Sequence, residues 1–424
     1  MTVAPEEFAP PVPPASEVFA DALAHLVSDT VERQRILGSG AFEAIGEGAE
    51  VRLSSGRTML DFGSYAVPLF GHRPATVTRA VRAALETLPT STRLLTNPYA
   101  AALAARLAAL VDPGRLDKVS FGLNGADAVE TALKLAIART GTPSALAVQG
   151  GFHGKSMGAL ALTHDPLRRG PVRGFLGDVR HLPLEPDAVA RAAREAPFAA
   201  LIFEPVQGEG GGRAIPPELL RRWSADAHAA GAFVLADEIQ CGLRRCGPVS
   251  VSVSEGVRPD AVLLGKPLGG GVMPLSAVVG TRELFAPLAA DPYFHTATFG
   301  GHPASCAAGL AALDLLDTVA ESLPAVAARL AAGVAALAAS RPGSVVGVRS
   351  TGLLAAVEFG DATVAGLAVL EAGRRGLLVG QSLSRPAVLK LLPPAVTDAA
   401  QMDRAFAILD AGCRAAERRA ARSG

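Results

Sequence analysis

Apolar and polar positions along this chain follow two rhythms, and the switches between them mark out its elements. Residues 16–31 carry apolar side chains at helical spacing, and residues 41–62 turn to short β-like pieces separated by Gly and Ser turns. A loop beginning at Ser64-Tyr65 leads to an amphipathic helix predicted from about Pro74 to Leu88. Another helix opens near Asn97-Pro98, where proline suits the first turn. Strand and helix then alternate, with strands at 117–123, 144–150, 198–205, 232–238 and 261–266, and helices at 126–140, 188–196 and 217–231. This alternation predicts an α/β fold with a mostly parallel sheet and helices on both faces. Long Ala/Leu-rich helical stretches follow at 303–320 and 323–340. The last third predicts strands at 345–359, 376–381 and 388–394 and helices at 361–373 and 398–421, a smaller α+β unit. Residues 1–15 are rich in proline and lack periodic apolar positions, so a flexible arm is expected there.

Composition acts mainly by exclusion. A chain of 424 residues has room for two or three domains with proper cores. Its 40 Lys and Arg balance 40 Asp and Glu, so no positive excess points to nucleic acid or an anionic membrane as partner. No apolar run approaches the roughly 18 to 20 residues that span a bilayer, and the first residues lack a basic segment followed by an apolar core. A soluble cytoplasmic protein is the expectation. The four cysteines lack the companion Cys or His spacing of a zinc site, so free, mostly buried thiols are expected and no metal.

Candidate chemistry gathers where the predicted strands end, the edge of a parallel sheet at which ligands bind. In AVLLGKPLGGGV, residues 261–272, Lys266 stands where an apolar strand stops and a glycine loop begins. Desolvation there would lower the pKa of its ammonium and free the amine to attack an aldehyde. Asn124, Gly125, Ala126 and Asp127 open a helix whose free N–H groups and dipole would hold a phosphate. Phe152 and His153 follow the next strand, and Phe152 could lie flat on an aromatic ligand. Glu204 and Glu209 follow the strand at 198–205, and Asp237 and Gln240 the strand at 232–238. GGFHGKS is not a P-loop, because the required first glycine falls at Gln149. GEGGGR is not a dinucleotide fingerprint, because Arg213 stands at its third glycine.

These residues, in the motifs FGLNGADAVETALKLA, GGFHGKSMGALALT, LIFEPVQGEGG, VLADEIQCGL, LLGKPLGGGVMPLSAVVG and HTATFGGHPASCAAGLAAL, give the chain its likeness. From about Ala41 to the last helix it resembles the class-III aminotransferases, fold-type-I enzymes dependent on pyridoxal 5'-phosphate (PLP). The resemblance implies a large PLP-binding domain over 61–301, a small α+β domain over 302–424, and a segment at 16–60 joining the small domain. It implies that Lys266 holds PLP as a Schiff base and moves the substrate proton, and that Asp237 pairs with the pyridine nitrogen. Gln240 would bond the phenolic oxygen, Phe152 would stack on the ring, and Gly125 and Ala126 would offer N–H groups to the phosphate, with Asn124 beside them and His153 a further cofactor candidate. Thr298, with Phe299 next to it, is similar to the residue that reaches the phosphate from a neighbouring subunit, which implies a homodimer.

The departures from the family pattern bear on substrate. Asn124 and Ala126 stand where a Ser and a Thr are usual, so backbone carries more of the phosphate. Many relatives clamp the substrate carboxylate with a C-terminal arginine, and this chain has Lys390. A lysine there is similar to the diaminobutyrate aminotransferases, and other motifs resemble diamine (putrescine-type) enzymes. Glu209 resembles the gate residue that covers the basic clamp, and Glu204 either meets substrate or braces its loop. Tyr65 and the Thr92-Arg93 loop are expected to supply pocket walls. The implied activity is transfer of the terminal amine of a small diamino acid or diamine, such as 2,4-diaminobutyrate, to 2-oxoglutarate. The alternative on the same scaffold is a PLP-dependent lyase, decarboxylase or carbon–carbon bond-forming enzyme, because the cofactor serves all of these.

Overall fold

The computed structural model describes residues 13–423; residues 1–12, most of the expected arm, and residue 424 lie outside the described residues. The helical pattern at the N-terminus resolves into two helices, Ala15–His25 and Ser28–Leu37, because Leu26 and Val27 take extended backbone between them. Strands β1 (Glu43–Glu47), β2 (Glu50–Leu53) and β3 (Thr58–Asp61) form an antiparallel meander. The amphipathic helix runs Ala75–Thr87 and buries Val77, Val81 and Ala84, the three-to-four-residue stripe its sequence carries.

The central sheet contains β4 (Lys118–Gly122), β5 (Ala145–Val148), β6 (Val179–Leu182), β7 (Ala200–Phe203), β10 (Phe233–Asp237), β11 (Ala261–Leu264) and β12 (Ser276–Gly280). A short hairpin of β8 (Val206–Gln207) and β9 (Arg213–Ala214) projects after β7. The order across the sheet is β4-β12-β11-β10-β7-β5-β6, and every pairing is parallel except those of β12. Strands buried on both faces read as continuous apolar runs, which is why β5, β7, β10 and β11 are legible in the sequence. Two strands escape the alternation. In β6, VRHL sits at the sheet edge with half-buried, partly charged side chains. In β12, the chain returns antiparallel beside β11 with no helix between them. The parallel strands β4, β5, β7, β10 and β11 bring their carboxyl ends to one edge.

Helix Pro303–Asp314 packs on the Ala75–Thr87 helix through alanines and valines. Helix Leu316–Ser340 is long and apolar enough to cross a bilayer by length and composition, contrary to the reading that no run approaches that length. Here its stripe of Val319, Val326, Leu330, Val334 and Leu337 is buried in the core, and its outer face carries Glu321 and Arg329 exposed to solvent. The stretch expected as one strand at 345–359 is a hairpin of β13 (Val345–Thr351) and β14 (Leu354–Phe359), turning at Gly352 with φ +57°. Strand β15 (Leu377–Leu378) leaves this region to pair in parallel with β3, joining the N-terminal meander to the C-terminal layer. β16 (Gly380–Gln381) and β17 (Val388–Leu391) complete a sheet of order β13-β14-β17-β16. The last helix, Ala399–Ser423, packs along helix Ala362–Arg375. All four cysteines are free and buried.

Candidate active site

At the shared strand edge lies a cavity of about 500 Å³ lined by Asn124, Gly125, Ala126, Phe152, His153, Glu204, Glu209, Asp237, Ile239, Gln240 and Lys266 among others. Each is placed by a strand end. β10 delivers Asp237, whose Oδ2 lies 2.7 Å from His153 Nδ1 and whose Oδ1 accepts the Ile239 N–H at 3.2 Å. β7 delivers Glu204, whose carboxylate accepts the backbone N–H of Phe152 at 2.8 Å and of Gly208 at 3.3 Å. β11 delivers Lys266 at φ +43°, a left-handed backbone that any residue with a side chain adopts at a cost. Helix Gly125–Thr140 begins at the cavity with a capping box between Asn124 and Asp127. The Asn124 side chain is spent on that cap, which leaves the first N–H groups of the helix without intrahelical partners.

Burial lowers the pKa of the Lys266 ammonium, opposed by the nearby carboxylates of Asp237 and Glu209. Burial also pushes the Glu204 carboxyl up to about 7, with His153 pulling it down and Asp237 pushing it further up. Two polar atoms at the site, Gln240 Nε2 and His153 Nε2, are buried without a hydrogen-bond partner among the described residues. Such atoms are costly unless something fills the space they face.

Glu209 and Lys390, 181 residues apart in sequence, form a buried ion pair. The second Glu209 oxygen accepts the Leu383 N–H at 2.7 Å, and its backbone carbonyl accepts the Ser382 hydroxyl. Glu209 lines the first cavity, and Lys390 lines a second of about 290 Å³ with Asp61, Ser64, Tyr65, Gln381 and Leu392. The ion pair therefore stands between the two spaces. Tyr65 lies on the wall of the second cavity, 61% exposed and at φ +51°, and does not line the first. Thr298 and Phe299 are exposed on this chain and do not line its cavity; Arg93 lines a separate cleft with His295 and Thr296.

The class-III aminotransferase family model matches residues 40–412. The chain belongs to the class-III aminotransferases. Solved structures agree over nearly the whole chain. An ornithine aminotransferase from Toxoplasma gondii is 25% identical, with a TM-score of 0.85 over 96% of this chain and 97% of its own. An amine transaminase from an uncultivated Pseudomonas species, solved in its PLP-bound form, is 26% identical, with a TM-score of 0.79 over 89% of this chain and 95% of its own. A transaminase from the marine bacterium Virgibacillus, 21% identical over 95% of this chain and 99% of its own with a TM-score of 0.87, shares the fold. The aminotransferase is thus a PLP-dependent transaminase of fold type I.

The residues present fit PLP. The unpartnered Gln240 Nε2 is a donor looking for an acceptor such as the ring's phenolic oxygen, and the bare helix N-terminus at Gly125 and Ala126 suits a phosphate. Asp237 would hold the ring nitrogen, Phe152 and Ile239 supply aromatic and aliphatic walls, and Lys266 would hold the aldehyde carbon. Sequence reasoning missed Ile239, although an apolar residue between Asp237 and Gln240 was its signal. It also missed Thr163, whose hydroxyl accepts the His153 backbone N–H at 2.9 Å and so holds the backbone that carries the ring paired with Asp237. Nothing in the sequence tied Thr163 to this site, because the contact depends on a helix folding back.

Proposed function

We propose that this aminotransferase takes the terminal amine of a small diamino acid or diamine, for example 2,4-diaminobutyrate, and passes it to 2-oxoglutarate. The observation that carries the reading is the Glu209–Lys390 pair between two cavities. PLP, when bound, supplies the aldehyde that receives an amino group and the electron-withdrawing ring that stabilises negative charge on the substrate carbon. Lys266, its proton affinity reduced by burial, accepts and returns the proton at that carbon. With the pair closed, Glu209 presents its carboxylate side to a cationic amine and covers Lys390. With the pair open, Lys390 is a point charge for a substrate carboxylate. One site can then receive an amine in one half-reaction and a 2-oxo acid in the other. The likeness to an ornithine aminotransferase supports a diamino acid as donor.

We further propose that the enzyme works in the cytoplasm as a homodimer. The exposed Leu94, Leu95, Tyr293 and Phe299 form an apolar fringe near the cleft at Arg93 and Thr296, and Thr298 there would reach a second copy's cavity. Sedimentation should show a dimer, and Thr298→Ala should weaken PLP binding without moving Lys266. The activity test mixes the PLP-loaded enzyme with 2,4-diaminobutyrate, ornithine or putrescine and follows conversion of the cofactor to pyridoxamine phosphate, then adds 2-oxoglutarate. If Lys390→Ala left the KM of every carboxylate substrate unchanged, the proposed role of the pair would be wrong.

A further inference from the structure

Arg245 is fully buried, at 0% exposure, and no salt bridge joins it to a carboxylate among the described residues. Among the described residues its guanidinium bonds only to backbone. Nη1 donates to the carbonyls of Leu353 at 3.2 Å and Pro393 at 2.6 Å, and Nη2 donates to the carbonyl of Ala66 at 3.2 Å. Burial pulls its pKa down to about 10, so it remains charged at neutral pH. A cation sealed from water with no carboxylate in contact, Asp61 acting on it only from a distance, is a poor choice for stability alone, because a well-packed neutral side chain would do as well or better.

The three carbonyls come from three separate walls. Ala66 follows Tyr65, and both hold left-handed backbone, at φ +68° and +51°, so their loop needs an anchor. Leu353 lies in the turn between β13 and β14, and its N–H donates to the Arg245 carbonyl at 2.8 Å. Gly352 beside it packs so closely that a Cβ would stand 2.6 Å from that same carbonyl. Pro393 follows the end of β17, the strand that carries Lys390. Arg245 itself belongs to the segment after β10 that delivers Asp237 and Gln240. It therefore ties the cofactor side of the site to the Tyr65 and Lys390 walls of the second cavity, without lining either space.

We propose that Arg245 is a positioning residue that holds the Tyr65 loop and the Lys390 strand in register, and thereby sets the geometry of the subsite for the carboxylate end of the substrate. The planar fork of arginine reaches acceptors on three sides, which neither lysine nor glutamine does. The inference rests on the reading that Lys390 receives the substrate carboxylate.

The test uses PLP-loaded Arg245→Gln and Arg245→Lys, each compared with the unmodified enzyme for bound-PLP absorbance, thermal unfolding and steady-state kinetics. Donors are 2,4-diaminobutyrate and putrescine, which differ in the carboxylate, and the acceptor is 2-oxoglutarate. Expected is a KM for 2-oxoglutarate and 2,4-diaminobutyrate raised about tenfold or more by loss of charge-assisted hydrogen bonds. The kcat, the PLP absorbance and the putrescine half-reaction should stay within about twofold, and Arg245→Lys should fall between Arg245→Gln and the parent. An equal loss with both donors, a lost PLP band, or unchanged KM values would overturn the proposal. If Arg245→Gln does not fold, Arg245→Lys carries the same donor comparison. Should Lys390→Ala leave carboxylate KM values untouched, the underlying reading falls; should Lys390→Ala raise them while the Arg245 variants do not, only the Arg245 inference falls.

Discussion

The Glu209–Lys390 pair invites a double-mutant cycle. Their side chains are only 5% and 3% exposed, so removing one partner leaves the other with little water to compensate it. Lys390→Ala would leave the Glu209 carboxylate with the Leu383 N–H at 2.7 Å as its remaining donor. Breaking a buried pair in this way costs about 3 to 5 kcal/mol, mostly the penalty of an uncompensated charge. Glu209→Ala should cost a similar amount, because it strands the Lys390 ammonium. The double substitution strands neither, so it should fall short of the sum of the singles by about 2 kcal/mol or more. Urea unfolding of the PLP-loaded protein gives the stabilities. In the same set, Glu209→Gln should lower the KM for 2-oxoglutarate, since an incoming carboxylate no longer displaces an anion from Lys390. The reasoning is refuted if the two singles add to the double within about 0.5 kcal/mol and the 2-oxoglutarate KM does not move.

Further outcomes follow from the cofactor side. Lys266→Ala should abolish the absorbance of covalently bound PLP, and persistence of that band would exclude Lys266 as the attachment point. In the PLP-free protein, Lys266→Gly should be more stable than Lys266→Ala by about 1 kcal/mol, because glycine adopts φ +43° without strain; equal unfolding midpoints would contradict this. Gly208→Ala would drive a Cβ into Gln240 Oε1, so Gln240 must leave its place and PLP affinity on reconstitution should fall about tenfold. The Glu204 carboxyl binds its proton more tightly folded, up to about 7, than unfolded. Its contribution to stability is therefore full below its ordinary carboxylate value and is lost as pH rises through about 7. A PLP-free titration in which Glu204→Gln leaves that slope unchanged would show the proton sits elsewhere.

Much of this site was legible before any fold was known, for a physical reason. A parallel sheet puts its ligand at strand ends, so buried apolar runs that stop at polar residues identify the wall one strand at a time. Lys266, Asp237, Gln240, Phe152 and Glu204 were found that way, and all line one cavity. β12 and β6 were not legible, because one breaks the strand-helix rhythm and the other lies at an edge where burial does not force an apolar pattern. Tyr65 belongs to a loop, and loops carry no periodicity, so its place on the second cavity beside Lys390, away from Lys266, emerges only from the fold. The contact between Glu209 and Lys390 could be guessed only through resemblance, since a separation of 181 residues leaves no local trace. Arg245 gives no local signal of its role, because its three carbonyl partners exist only after 66, 353 and 393 have met.

The antiparallel return of β12 beside β11 has a kinetic meaning. The loop that carries Lys266 is stapled at both ends into the middle of the sheet, with Leu264 paired to Ala277 on one side and Ser276 paired to Gly122 on the other. Freeing that loop requires parting central strands, so its amides should exchange with solvent only through near-global opening, unlike the rim formed by Tyr65 and residues 382–385. Hydrogen exchange would then divide the active site into a slow half that keeps the cofactor and a fast half that chooses what meets it.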